Sequence, residues 1–188
     1  MNFRGFPTIQ GLMDQENKNV IFREWVNQYY EFGFRIAFRI LGNLEESRDI
    51  VQDSFLKVWL KYDLYDNKLK FSTWLYRIIT NLCLDRLRRK KIIDTHASQG
   101  KNSCAEELFS VEKQMEDKEI RDALNKLSEH LSPKQKIVFV LRDLEELEMS
   151  EVCNITNMNE DQVKSNLYHA RKAIRESVIL VKILEGNI

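Results

Sequence analysis

Residues 71–91, FSTWLYRIITNLCLDRLRRKK, decide the fold class of this chain. The segment contains no proline or glycine. Its apolar side chains recur at helical spacing, at Leu75, Ile78, Ile79, Leu82 and Leu87. It therefore predicts a helix with one buried face, and Ser72 or Thr73 is expected to cap its start.

The same helical spacing extends through most of the chain, which has only two prolines and six glycines in 188 residues. One helix is predicted from Val20 to the Gly42–Asn43 turn and another from Leu44 to Tyr62. Residues 63–70 are expected to form a loop. An acidic helix is expected from about residue 106, and further helices from Ser132, over residues 150–155 and after Asn159. Ser132 with Gln135, and Asn159 with Gln162, have the spacing of capping boxes.

These elements predict an all-α fold of two small helical domains joined by a flexible linker. The expected boundaries are a tail over residues 1–18, a helical bundle over 19–92, a linker over 93–118 and a second domain over 119–185. The linker is placed by the small and polar residues that follow Asp94.

Composition excludes several classes of protein. The formal net charge is zero, so any basic surface must be local. No window reaches the roughly 18 apolar residues of a membrane span, and the N-terminus lacks an apolar signal core, so no membrane insertion and a cytoplasmic location are expected. Three separated cysteines predict neither a disulfide framework nor a metal site. No motif of a catalytic site or cofactor site is present, so neither enzymatic activity nor a cofactor is expected.

The basic end of the segment quoted above is the first candidate site. Six basic residues accompany a single acid, Asp85. They are Arg77, Arg86, Arg88, Arg89, Lys90 and Lys91. Aromatic residues precede them, and base stacking on an exposed ring contributes about 1–3 kcal/mol per base. The pattern indicates binding of single-stranded DNA, although a solvated helix end with buried aromatics fits it equally well.

The C-terminal helices are the second candidate site. A short helix, a four-residue turn and a longer capped helix predict a helix-turn-helix, in which Val152 and Ile155 pack on Val163 and Leu167. The outer face of the last helix carries donors for phosphates and base edges. They are Lys164, Ser165, Tyr168, His169, Arg171, Lys172 and Arg175. An ordinary helical hairpin with a polar face is the alternative.

The second helix offers a third candidate surface, on which Asp49, Gln52, Asp53 and Lys57 lie beside Phe55, Leu56 and Trp59. Acidic and apolar side chains on one face can bind a partner helix. A solvated outer face explains the same pattern.

Two stretches resemble a known family. Residues 46–62, ESRDIVQDSFLKVWLKY, together with residues 71–91, resemble region 2 of extracytoplasmic-function (ECF) sigma factors, which belong to the sigma-70 family. Residues 131–176 resemble region 4 of the same family. The resemblance covers about residues 20–180 in the family's order. It implies a sigma factor that binds core RNA polymerase and directs promoter-specific initiation by recognising the −35 element and melting the −10 element.

The resemblance also implies partners and residue roles. The clamp helices of the polymerase β′ subunit would be bound by Asp49, Gln52, Asp53, Leu56 and Trp59, with Phe55 and Trp59 mainly in the core. Partly single-stranded −10 DNA would be bound by Tyr65, Lys68, Trp74, Arg77, Asn81, Arg86, Arg88 and Arg89. The −35 element would be bound by Lys164, Ser165, Asn166, Tyr168, His169, Arg171 and Lys172. The β flap and an anti-sigma factor are further implied partners.

The chain departs from the family's pattern in three places, of which Cys153, in place of a usual small alanine, is a mild change. Asn166 stands where an arginine is frequent, so the −35 sequence that is recognised is expected to differ. Glu145 and Glu146 stand near a frequent glycine, which predicts a helical turn there. Two rival functions remain, a helix-turn-helix regulator that acts without polymerase and a helical adaptor that does not bind DNA.

Overall fold

The computed structural model describes residues 9–65, 68–96 and 131–184. The predicted acidic helix and most of the predicted linker lie outside these ranges. The described residues form helices and turns, with no strand among them. They also include no helix that combines the length and apolar content needed to cross a bilayer.

Helix α1 comprises Ile9–Leu41, so it begins well before the predicted start at Val20. Residues 9–18, expected to be an irregular tail, are helical. They contain no proline and are rich in residues with good helix propensity, so nothing stops the helix there. Gly42 ends α1 with φ of 70°, and its N–H donates to the Phe38 carbonyl at 2.7 Å.

Helix α2 comprises Leu44–Leu60. Asn43 caps it, because the Asn43 side chain accepts a hydrogen bond from the Glu46 N–H at 2.9 Å. A 3₁₀ turn, Tyr62–Leu64, follows α2, where the sequence predicted the helix end and a loop.

Helix α3 comprises Phe71–His96, and both its start and its end differ from those predicted. Ser72 and Thr73 lie inside the helix and not at its cap. Phe71 is buried and stacks on Trp25, with ring centroids 3.9 Å apart, so packing brings the helix start to this residue. The helix also continues to His96, past residue 93, where the linker was predicted to begin.

Helices α1, α2 and α3 form a bundle around a shared core. Their largest fully buried side chains include Ile36, Ile40, Val51, Leu75 and Ile79. Burial of each such side chain contributes about 1.5–3 kcal/mol. Helices α1 and α3 approach closely at Gly33, where an added Cβ would lie 2.9 Å from the Ile79 Cδ1 atom.

The C-terminal unit begins with α4, Pro133–Phe139, and continues without a break into a π-helical turn, Val140–Leu144. Helices α5, Met149–Thr156, and α6, Glu160–Leu184, follow. Both predicted capping boxes are confirmed, at Ser132 with Gln135 and at Asn159 with Gln162.

The residues that follow the π-helical turn are not helical, so the helical turn predicted at Glu145 and Glu146 is wrong. The Leu147 N–H donates back to the Leu141 carbonyl at 3.0 Å, and Glu146 has φ of 55°. This is the left-handed geometry of a Schellman-like helix end, in which glycine is usual. Glu146 therefore adopts a backbone conformation that a glycine takes more readily.

The two units pack against each other, since α3 contacts both α4 and α5. Glu145, with a side chain 2% exposed, accepts hydrogen bonds from Arg39 Nη1 at 2.9 Å and Arg35 Nη2 at 3.0 Å. Arg77 donates from Nε to the Asn154 carbonyl at 2.9 Å. A buried apolar cluster runs through both units and includes Cys83 and Val138.

Candidate nucleic-acid and protein interfaces

The outer face of α2 is exposed where the sequence placed a protein-binding surface. Asp49, Gln52 and Asp53 are exposed, and Leu56 is 55% exposed. Phe55 is buried, as expected. Trp59 is half-buried, packing edge-on against Phe22 at 5.0 Å, with the Lys18 ammonium 4.9 Å from its ring centroid.

This surface extends further than the sequence indicated. Leu60 and Leu64 follow Leu56 at intervals of four residues, and they are 71% and 77% exposed. Leu56 and Leu60 lie one turn apart on α2, and Leu64 lies in the 3₁₀ turn that follows; three strongly exposed leucines so close in sequence are unusual for a small helical bundle. Because Leu60 continues an apolar helical stripe, its exposure is not evident from the sequence.

The aromatic residues before the basic segment divide between core and surface. Phe71 and Tyr76 are buried, and burial raises the pKa of the Tyr76 hydroxyl. Tyr65 and Trp74 are half-buried and stack on each other, with centroids 5.1 Å apart and planes 27° apart. The Tyr65 hydroxyl donates to the Leu69 carbonyl at 2.8 Å, which ties this ring pair to the loop that holds exposed Lys68.

The basic side chains of α3 do not all face the same surroundings. Asn81, Arg86, Arg88 and Arg89 are exposed. Arg77 points instead to the C-terminal end of α5, where its guanidinium satisfies the Asn154 carbonyl, one of the carbonyls that a helix end leaves without an intrahelical partner. Four of the residues predicted to bind the −10 element are thus exposed along α3, whereas Arg77 contacts the other unit.

Helices α5 and α6 form the predicted helix-turn-helix. Val152, Ile155, Val163 and Leu167 are buried in one cluster. Asn157 makes the turn with φ of 56°. The predicted −35 residues are exposed on α6 except Asn166, which is half-buried and donates its amide to the Gln162 carbonyl at 2.8 Å. Asn166 is therefore bound to its own helix and extends less than the side chains around it.

A cationic groove of about 690 Å³ runs beside α6. Five cations and a single acid, Glu176, line it. From α6 the lining comprises Lys164, Leu167, Tyr168, Arg171, Lys172, Arg175 and Glu176, and from the preceding residues it comprises Arg142 and Met149. Arg142, which the sequence did not single out, is held there because its Nη1 donates to the Leu147 carbonyl at 2.9 Å. Its position in the groove depends on the π-helical turn, for which the sequence has no clear signal.

Among the described side chains, no group of three or more histidine, cysteine, aspartate or glutamate residues is placed to hold a metal ion. The cysteines described are Cys83, which is buried and whose pKa is raised by burial, and half-buried Cys153. The described residues thus present three distinct surfaces: an acidic and apolar helix face, an aromatic and basic segment, and a cationic groove.

Comparison with known protein families identifies both units. Residues 25–92 match sigma-70 region 2, and residues 118–174 match sigma-70 region 4. These ranges contain the three surfaces described above, apart from the groove residues beyond position 174. Region 2 thus corresponds to the bundle of α1, α2 and α3, and region 4 to the unit with the helix-turn-helix.

The chain is 30% identical over 165 residues to the ECF RNA polymerase sigma factor SigW of Bacillus subtilis. This alignment covers 84% of this chain and 88% of SigW. It is 29% identical to the RNA polymerase sigma factor SigV of the same species, over 76% of this chain and 81% of SigV. The chain belongs to the ECF RNA polymerase sigma factor family. It is accordingly a transcription initiation factor that directs RNA polymerase to promoters, and proteins of this kind are not enzymes.

Solved structures share the fold. CnrH, in a complex with the cytosolic domain of CnrY, aligns with a TM-score of 0.61 at 19% identity, over 85% of this chain and 88% of CnrH. The sigma factor RpoE of Bartonella quintana, in a complex with the anti-sigma factor NepR, aligns with a TM-score of 0.61 at 17% identity, over 84% of this chain and 96% of RpoE.

Proposed function

We propose that this sigma factor binds the clamp helices of the polymerase β′ subunit through the outer face of α2, and the β flap through its C-terminal unit. The observation that carries the proposal is the exposure of Leu56 and Leu60 on α2, and of Leu64 just after it, on a helix that also exposes the acidic residues Asp49 and Asp53. Apolar side chains provide the binding energy when they are removed from water, while the carboxylates favour a basic partner and fix its orientation.

The −10 element is proposed to bind α3 and the loop before it. Asn81, Arg86, Arg88 and Arg89 offer one amide and three cations on an exposed surface, which suits the bases and phosphates of an opened strand. The stacked Tyr65 and Trp74 side chains hold the loop in place. Because these two rings already stack on each other, we expect them to shape the site. Lys68 is the loop residue that we expect to contact the DNA.

The −35 element is proposed to bind the cationic groove, with the first turns of α6 in the major groove of DNA. Lys164 and Ser165 are exposed on these turns and can contact base edges. Tyr168, His169, Arg171 and Lys172 follow them along the helix. Since the Asn166 amide is bound to the Gln162 carbonyl, Asn166 contributes less to base recognition than its neighbours do.

Reconstitution with core polymerase tests the proposal. The full-length protein should form a complex with core enzyme and produce transcripts from defined start sites that share upstream elements. Leu56→Glu should weaken core binding by at least about tenfold, because it places a charge among the exposed leucines. The matched control is Glu31→Arg, a charge change on exposed α1, which should bind normally. If Leu56→Glu binds core enzyme as well as the unchanged protein does, the α2 surface is not the interface.

An anti-sigma factor is a further proposed partner. The relatives CnrH and RpoE were solved with CnrY and NepR, the latter an anti-sigma factor, and they share this fold. An inhibitor that covers the α2 face would compete with core polymerase. Competition for the purified sigma factor between core enzyme and a candidate inhibitor tests this, and simultaneous binding of both would contradict it.

A further inference from the structure

Asp143 and Arg171 form a two-pronged ion pair that joins the π-helical turn to α6. Arg171 Nε donates to Asp143 Oδ2 at 2.8 Å, and Arg171 Nη2 donates to Asp143 Oδ1 at 2.6 Å. The Asp143 side chain is 18% exposed, whereas that of Arg171 is 56% exposed. The carboxylate therefore lies beneath the guanidinium, which covers it and faces solvent.

This pairing fixes which edge of Arg171 can meet a ligand. A guanidinium has five N–H donors in a planar fork. Asp143 engages the Nε donor and one donor on Nη2, so the remaining three N–H groups on Nη1 and Nη2 point away from Asp143, on a side chain that is 56% exposed. Two charge-assisted hydrogen bonds would have to break before Arg171 could extend elsewhere.

The position of Arg171 along α6 indicates what those donors meet. The helix begins at Glu160, and Arg171 lies eleven residues further on, a rise of about 16 Å at 1.5 Å per residue. The major groove of DNA is about 12 Å wide, and the first residues of a recognition helix contact the bases. When the first turns of α6 lie in the groove, Arg171 lies near its edge, where the phosphates are.

We propose that Asp143 is a positioning residue that holds Arg171 as a phosphate-binding residue of the −35 surface. The proposal rests on the −35 interface proposed above. Asp143 presents the free donors of Arg171 to a phosphate, and Arg171 screens the Asp143 carboxylate from that same phosphate. The two residues therefore act as a unit: loss of Arg171 removes one contact and also exposes a repelling anion.

A double-mutant cycle on the reconstituted holoenzyme tests the unit, with two duplexes of equal length, a mapped promoter fragment and an unrelated sequence. Arg171→Ala should weaken binding to both duplexes by a similar factor of at least about tenfold, because phosphate contacts carry no sequence information. Adding Asp143→Ala to Arg171→Ala should restore at least about fivefold, since the exposed anion is gone.

The exposed pair Lys172 and Glu176 is the matched control. Its Nζ to Oε1 distance is 3.9 Å, and the side chains are 58% and 62% exposed. The same cycle on this pair should show coupling below about twofold, because solvent screens it. If Asp143→Ala lowers the stability of the fold, Asp143→Asn removes the charge at nearly constant volume and should restore binding of Arg171→Ala in the same way.

Three results would overturn the inference, and each would contradict a different part of it. Additive losses from Asp143→Ala and Arg171→Ala would show that the two residues do not act as a unit. A loss confined to the promoter fragment would make Arg171 a base-reading residue. If the unchanged holoenzyme bound both duplexes equally, the −35 interface itself would fail, and the inference with it.

Discussion

Glu146 adopts a left-handed backbone conformation with φ of 55°, which is strained for a residue that has a Cβ. We expect Glu146→Gly to raise the free energy of unfolding by about 0.5–1 kcal/mol. Relief of the strain contributes about 1–2 kcal/mol, and the greater freedom of glycine in the unfolded chain offsets part of this. Urea denaturation measures the difference.

Glu146→Ala is the control for this change. It removes the same carboxylate but keeps the Cβ, so it should leave stability near that of the unchanged protein. Equal stabilisation by alanine and glycine would mean that the charge, and not the backbone, is responsible. Asn157, at φ of 56°, needs no such relief, because asparagine tolerates this conformation well.

These two positions show what the sequence can predict at the residue scale. The turn at Asn157 follows from its own residue type and from the Asn159 cap beside it. The turn at Glu146 has no local signal, since a glutamate normally favours helix, and a helical turn was the wrong prediction. The tertiary contacts of Glu145 with Arg35 and Arg39 hold the strained geometry.

At the scale of elements, α4 buries a lysine. Lys136 is 3% exposed, and burial together with the nearby charge of Lys90 lowers its pKa to about 8. The unfolded chain keeps this proton up to about pH 10.5. Stability due to Lys136 therefore rises with pH between these two values, because the unfolded state binds more protons there.

We expect Lys136→Met to reveal this dependence. The difference in unfolding free energy between the variant and the unchanged protein should shift by about 3 kcal/mol in favour of the unchanged protein between pH 8 and 10.5. Denaturation at a series of pH values measures it. Tyrosine and cysteine titrations are common to both proteins and cancel in the difference. A constant difference across this range would show that Lys136 titrates normally.

Element boundaries were predictable where the signal is local. The capping boxes at Ser132 and Asn159 were predicted from residue types alone and are confirmed. The start of α3 was not, because the stacking of Phe71 on Trp25 decides it, and that contact joins residues far apart in the sequence. The π-helical turn that places Arg142 in the groove was not predicted either, because the sequence has no clear local signal for it.

At the scale of the whole molecule, the two units share a core and an ion cluster at Glu145. Glu145→Ala should lower the free energy of unfolding by about 2 kcal/mol, because Arg35 and Arg39 lose a charged acceptor but remain partly hydrated. Glu31→Ala on the exposed side of α1 is the control. Calorimetry should show one transition for the unchanged protein, and two separate transitions would contradict a shared core.

The all-α fold and the family were predictable from sequence because both motifs are contiguous. The packing between the units was not predictable, since it depends on pairs such as Arg35 and Glu145, 110 residues apart. The same limit applies to Arg77, which was predicted to contact DNA from its place in a basic segment. Its hydrogen bond to the Asn154 carbonyl depends on where the second unit lies.

The burial of the Glu145 carboxylate has a consequence for experiments at different ionic strengths. At 0.1 M salt, dissolved ions largely screen exposed charges that are more than about 10 Å apart, but they screen a close pair with a carboxylate that is only 2% exposed much less. Added salt should therefore weaken the attraction of DNA for the cationic groove by counterion release, while the ion cluster at Glu145 hardly changes. The salt dependence of promoter binding then counts the phosphates that the protein neutralises, undistorted by any loosening between its two halves.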